Sequence, residues 1–128
     1  MTEPITSQVT FLYFDDIEQA AAFFQTILGL ELVMDAGWAK IFKTAGQAFI
    51  GAVKKGKGSI DSKDNSGVLV SLTVADVVQW KEKLEHLIPV SDVKEFADIG
   101  LLSIFLVGPE GYNFEIQEFT RPEQKEIF

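Results

Sequence analysis

The sequence has no cysteine and a single histidine, His86. The lack of cysteine excludes disulfides, thiolate metal sites and a thiol nucleophile, and it suits a reducing cytoplasm. Positive charge is also scarce. Eleven Lys and Arg stand against 19 Asp and Glu, a formal charge of −8. An acidic chain is repelled by phosphate backbones and by anionic membrane surfaces, so neither nucleic acid nor membrane is an expected partner. No apolar run approaches the length of a membrane span. Met1 to Gln8 lack the basic-then-apolar order of a signal peptide. These absences together predict a cytoplasmic protein.

What the chain does have is core material. Hydrophobic residues are 47% of its 128 residues, and 11 are Phe, enough for a single domain spanning 1–128.

Two stretches are alike: VTFLYFDDIEQAAAFFQTILG, from Val9 to Gly29, and LVSLTVADVVQWKEKLEHLIP, from Leu69 to Pro89. Each is a β-rich run, an Asp, and then a helical pattern. Asp16 and Asp76 stand 60 residues apart, each followed three residues on by Gln (Gln19, Gln79). That is the spacing of a helix cap, where the carboxylate accepts from an orphan N–H and suits the positive end of the helix dipole. Both aspartates are therefore read as caps rather than catalytic acids. Ala20, Phe23, Phe24, Ile27 and Leu28 form one apolar stripe, and Val77, Trp80, Leu84, Leu87 and Ile88 form the other. Gly29 and Pro89 end the two helices.

Three short strand-like runs follow each helix. In the first half they are Glu31–Met34, Trp38–Lys43 and Gln47–Val53, and in the second Val93–Phe96, Leu102–Val107 and Tyr112–Glu118. The Gly-, Ser- and Lys-rich stretch 54–67 between the halves reads as a mobile linker. The organisation is thus repeat one at about 8–53, linker 54–67, repeat two at about 68–119 and a charged tail, 120–128. The predicted fold is α+β: tandem βαβββ repeats forming a curved mixed sheet with a shared cleft and helices on its outer face. In the last strand Phe114 and Ile116 are apolar, while Asn113, Glu115 and Gln117 form a polar row on the opposite face. The tail is expected to cover an edge or reach a partner subunit.

The tandem βαβββ pattern, with GPEGYNFEI near its end, resembles the glyoxalase / bleomycin-resistance / extradiol-dioxygenase superfamily, the vicinal oxygen chelate fold. The likeness runs from Val9 to Phe119. FDDIEQAAAFFQTILGLEL is similar to the first helix unit of that family. Gly108-Pro109-Glu110-Gly111-Tyr112 is similar to its Asp-Pro-Asp-Gly turn, with Gly and Glu in place of the two Asp. In metal-dependent members four side chains, typically His, Glu, His and Glu, hold a divalent ion. Counted from the helix caps and the final turn, those positions fall on Val9, Gly51, Leu69 and Glu115. Only Glu115 can ligate, whereas such sites need about three or four protein ligands. A register slip brings in Gln8, Thr10, Ile50, Ala52, Val68 or Val70, none a strong ligand. His86, near the end of the second helix, is expected on the surface. No metal and no other cofactor is therefore expected, and the Lewis-acid chemistry of the glyoxalases and dioxygenases is expected to be missing.

The resemblance leaves a cleft lined by Phe11, Tyr13, Phe49 and Leu69, with Trp38 and Phe42, the facing of the Trp38 strand being ambiguous because Lys40 shares its side. Ser71, Asn113 and Glu115 supply the polar groups. Stacked aromatics beside a carboxylate suit a flat or cationic organic ligand. Equally, the aromatics could simply fill the space between the halves. Glu115 has three readings: relic of a metal ligand, ligand anchor, or general base, with the anchor favoured. The first functional reading is a metal-independent binding protein for a small organic ligand. The alternative is a lyase- or isomerase-type enzyme with a non-standard site centred on Glu115. Members of the family commonly dimerise, so a homodimer is expected.

Overall fold

The computed structural model describes residues 3–128. They divide into two compact units, the first running to Asn65 and the second spanning Ser66–Phe128. Each unit has its own four-stranded sheet, so the two repeats form two mixed sheets of an α+β fold.

In the first unit the strands are β1 (Gln8–Phe14), β2 (Glu31–Asp35), β3 (Ala39–Ala45) and β4 (Ala48–Lys54), in the order β1-β4-β3-β2. The outer pair β1 and β4 is parallel, and the other neighbours are antiparallel. In the second unit β5 (Leu69–Thr73), β6 (Lys94–Phe96), β7 (Leu101–Val107) and β8 (Asn113–Phe119) repeat that order as β5-β8-β7-β6. The predicted strands are all present, with ends differing by a residue or two.

The helix caps form as the sequence predicts. Asp16 accepts from the Gln19 N–H at 3.0 Å, and Asp76 accepts from the N–H groups of Val78 and Gln79. They open α1 (Ile17–Ala22) and α2 (Val77–Leu84). The first helix departs from the expected regular α-helix. After Ala22 it widens into a π turn over Phe23–Ile27, with the Leu28 N–H bonded to the Phe23 carbonyl. Phe23 and Phe24 are adjacent yet both buried, which the wider turn accommodates. Gly29, at φ 71°, then takes the left-handed conformation that ends the helix.

The strands alternate as amphipathic strands should. Leu12, Phe14, Phe42 and Ile50 are buried on the face that carries α1. Phe24 packs there against Phe14 and Phe42, with ring centroids 6.2 and 5.1 Å away. This corrects the placement of Phe42, which belongs to the core rather than to the ligand face. In the second unit Ile104, Leu106, Phe114 and Ile116 form the equivalent layer with Val77 and Leu84. Glu118 lies on that same strand face and accepts from the Val77 N–H at 3.0 Å, serving the start of α2.

Lys40 resolves the ambiguity of its strand. Its side chain turns to the helix face and pairs with Asp35 at 3.2 Å and Glu18 at 3.3 Å. Asp35 is held below the usual carboxylate range, first by the Gly37 N–H and then by Lys40. Lys40 is held above the usual lysine range, mainly by its bond to Asp35. Two signs follow. The Asp35 contribution is complete above the unfolded carboxylate pKa and disappears as pH falls through the lower folded value. The Lys40 contribution is complete below the unfolded lysine pKa and disappears as pH rises through the higher folded value. Asp35→Asn should therefore flatten both the acid and the alkaline limb of a plot of urea midpoint against pH. Unchanged limbs would refute this pairing.

Two segments outside the repeats are held by hydrogen bonds to their own units. Residues 54–67 are in part fastened down: the Lys55 N–H bonds the Phe14 carbonyl and the Ile60 N–H reaches the Tyr13 hydroxyl at 3.4 Å. Gly58 lies so close to that ring that a Cβ there would come within 2.3 Å of Tyr13 Oη. The tail folds onto its own unit. A short helix, α3 (Pro122–Lys125), is anchored by Arg121 on the Ala97 and Asp98 carbonyls and by Gln124 on that of Ile99. Phe128 then stacks on Phe119, with centroids 4.2 Å apart.

Candidate functional site

In the first unit, the sheet face opposite α1 carries Phe11 and Tyr13 from β1, beside Gly51 and Val53 from β4. Met34, Ala36 and Ala39 extend this face, and Trp38 stands at the bend before β3. These residues wall a pocket of about 300 Å³, closed on one side by Lys57, Gly58 and Ser59. Phe11, Met34 and Trp38 remain roughly half exposed, so the apolar walls are open to a ligand, while Tyr13 is buried. Three of the expected ligand residues, Phe11, Tyr13 and Trp38, meet here. Phe49 is on the same strand face, opposite Val9 and two residues before Gly51, but it does not line the pocket. Met34 and Lys57 also line the pocket, and the sequence pattern does not mark either. Met34 follows a register shift in β2 that simple alternation does not reveal, and Lys57 lies in a stretch that reads as linker.

In the second unit the corresponding face is more polar. Ser71 on β5 stands opposite Glu115 on β8 and donates to its Oε1 at 2.5 Å. Glu115 is buried. Gln117 donates to the Thr73 hydroxyl at 3.0 Å. Beside Glu115 lies Phe105 of β7, edge-on to Phe96 and 5.7 Å below the Lys94 ammonium. Ser103 is fully buried and its hydroxyl has no hydrogen-bond partner among the described residues. Leu69 and Asn113 line a separate pocket of about 440 Å³ with Phe105 and Val107, whereas Ser71 and Glu115 do not line it. Of the eight expected ligand residues, Phe11, Tyr13 and Trp38 share a pocket on the first unit, Phe49 stands on the same strand face without lining it, Ser71 and Glu115 form a hydrogen-bonded pair on the second unit, and Leu69 and Asn113 line a pocket there. Phe105 joins the Glu115 face, where the alternation of β7 and its register with β8 place it.

The strand pairing makes the repeat explicit. Phe11 stands opposite Gly51 as Ser71 stands opposite Glu115, so Gly51 is the counterpart of Glu115. The two positions have diverged physically. A Cβ at Gly51 would lie 2.3 Å from Phe11 Cδ1, because the Phe11 ring occupies the space a side chain would need. Val9 and Leu69 offer only hydrocarbon, and one Glu115 oxygen is engaged by Ser71. These four residues do not fit a divalent ion, which needs about three or four ligand atoms. Among the described residues no three His, Cys, Asp or Glu side chains gather in a metal-binding group. His86 is exposed. Among the described residues no helix is long and apolar enough to cross a membrane.

The fold is that of the vicinal oxygen chelate superfamily, the glyoxalase / bleomycin-resistance / dioxygenase proteins. No family model and no curated protein matches the sequence, and its likenesses are to solved structures. A lactoylglutathione lyase from Agrobacterium tumefaciens is 26% identical, with a TM-score of 0.73 over 91% of this chain and 96% of that one. A glyoxalase / bleomycin resistance protein / dioxygenase from Nocardioides is 18% identical, with a TM-score of 0.74 over 95% and 87%. TioX from Micromonospora sp. ML1 is 16% identical, with a TM-score of 0.73 over 88% and 98%.

Proposed function

We propose that this chain is a metal-independent binding protein for a small organic ligand with a flat ring, held on the aromatic face of the first unit. One observation carries the reading: Phe11 and Tyr13 from β1 and Trp38, 25 residues further along the chain, converge on a single pocket of about 300 Å³. Ligand sites are typically concave, mostly apolar and of roughly that size or larger. Rigid aromatic walls offer a large contact area at little entropic cost, and half-exposed rings gain most from being covered. The reading keeps the expectation of a cytoplasmic homodimer.

The alternative is a lyase- or isomerase-type enzyme with Glu115 as base. The Ser71 hydroxyl already engages that carboxylate, which suits an anchor better than a base with its oxygens free to take a proton.

A thermal-shift screen with flat aromatic compounds should raise the melting temperature by several degrees for some of them, in the presence or absence of chelator. Trp38→Ala should abolish the shift. A library without response would sink the reading, and stoichiometric metal in the purified protein would overturn its metal independence. Turnover of a screened compound that Glu115→Gln abolishes would put the enzyme in its place.

A further inference from the structure

We infer that the pocket of the first unit selects an anionic ligand, a flat aromatic ring bearing a carboxylate or similar acidic group, with Lys57 as the residue that reads the charge. The inference rests on the binding reading above and sharpens it.

Lys57 is the one charged residue among those lining the pocket. It makes no ion pair among the described residues, whereas the neighbouring ionic groups are already engaged. Asp35 lies between two lining residues, Met34 and Ala36, but its oxygens are taken by the Gly37 N–H at 2.8 Å and by Lys40 at 3.2 Å. Glu18 is bound to Lys40, Asp15 to Lys55 at 3.8 Å, and Asp61 to Lys63 at 3.6 Å. The lining therefore has aromatic and aliphatic side chains, one lysine that makes no ion pair among the described residues, and no carboxylate. A ring can cover Phe11 and Trp38 while its acidic group reaches the Lys57 ammonium. The placement of Lys57 is fixed close by. The Lys57 N–H bonds the Lys54 carbonyl at 3.0 Å, and the next residue, Gly58, is pressed against Tyr13.

The chain as a whole favours the opposite sign, since its formal charge is −8. That field would attract a cationic ring and repel an anionic one, and salt weakens it. A preference for the anion would therefore have to come from the local ammonium, which makes the proposal sharply testable.

The experiment is isothermal titration of the full chain with three probes sharing one ring: 2-naphthoate, 2-naphthylmethanol and 2-naphthylmethylammonium. The expected order is naphthoate tightest and ammonium weakest. Naphthoate should lead the alcohol by about three- to fivefold at low salt, the range of a partly exposed ion pair. That lead should vanish in Lys57→Gln, with naphthoate binding weakened more than alcohol binding. Naphthoate no tighter than the alcohol, ammonium tightest, or an order indifferent to Lys57→Gln would each overturn the inference and leave the binding reading standing. Failure of all three probes to bind would count against the binding reading itself, and the inference would fall with it.

Discussion

Phe24→Ala should lower the stability of the folded chain by about 3–5 kcal/mol, the range for removing a buried phenylalanine ring. Phe24 is fully buried in the layer between α1 and the first sheet. Its ring meets Phe23, Phe14 and Phe42 at centroid distances of 5.7, 6.2 and 5.1 Å, so one truncation removes three aromatic contacts. Edge-to-face pairs add about 0.5–1.5 kcal/mol beyond burial. The cavity also lies beside the π turn, where Phe23 and Phe24 are consecutive and both packed inward. Closing it would require that turn to re-form with a narrower pitch. The loss should appear as a lower denaturant midpoint, and Phe24→Leu should restore much of it by refilling the volume. A loss below about 1 kcal/mol would mean that the layer collapses freely, contrary to the close packing of protein interiors.

Most of that layer, and of its counterpart in the second unit, is legible in the sequence. Phe14, Phe24, Leu84, Phe114 and Ile116 are placed by strand alternation and helical stripes, and the caps Asp16 and Asp76 by their spacing to Gln19 and Gln79. Legibility fails where a local feature shifts the period. Alternation counted from Trp38 puts Phe42 on the ligand face. In the folded chain Trp38 belongs to a bend, and Lys40 and Phe42 both face the helix. The π turn is equally hidden, since a stripe counted at 3.6 residues per turn assumes the regular helix it is meant to detect.

The candidate site is legible to a lesser degree, for a different reason. Which side chains share a strand face follows from alternation, and this brought Phe11 and Tyr13 together. Which of them share a pocket depends on segments without periodicity. The stretch after β4 reads as linker by composition, yet Gly58 and Ile60 fasten it to Tyr13 and thereby place Lys57 at the pocket. The engagement of Glu115 by Ser71 required the strand register, which no single strand encodes.

Gly51→Ala joins the fold to the site. Gly51 has no positive φ, so alanine is not excluded by backbone conformation. It is excluded by its neighbour: the new Cβ would lie 2.3 and 2.5 Å from two Phe11 ring carbons. Atoms cannot share that space, and the Phe11 ring, which is 45% exposed, has room to leave. The substitution should cost about 1–3 kcal/mol, the usual price of overpacking. It should also weaken ligand-induced stabilisation, because a displaced Phe11 no longer walls the pocket. The two effects have one cause, which a double-mutant cycle isolates. In a Phe11→Ala background, Gly51→Ala should cost almost nothing, since alanine in a strand interior is otherwise no worse than glycine. Denaturant midpoints of the four proteins, taken with and without a compound that shifts the parent, provide the measurement. An equal cost in both backgrounds would show that the ring over Gly51 is not what keeps this position free of a side chain.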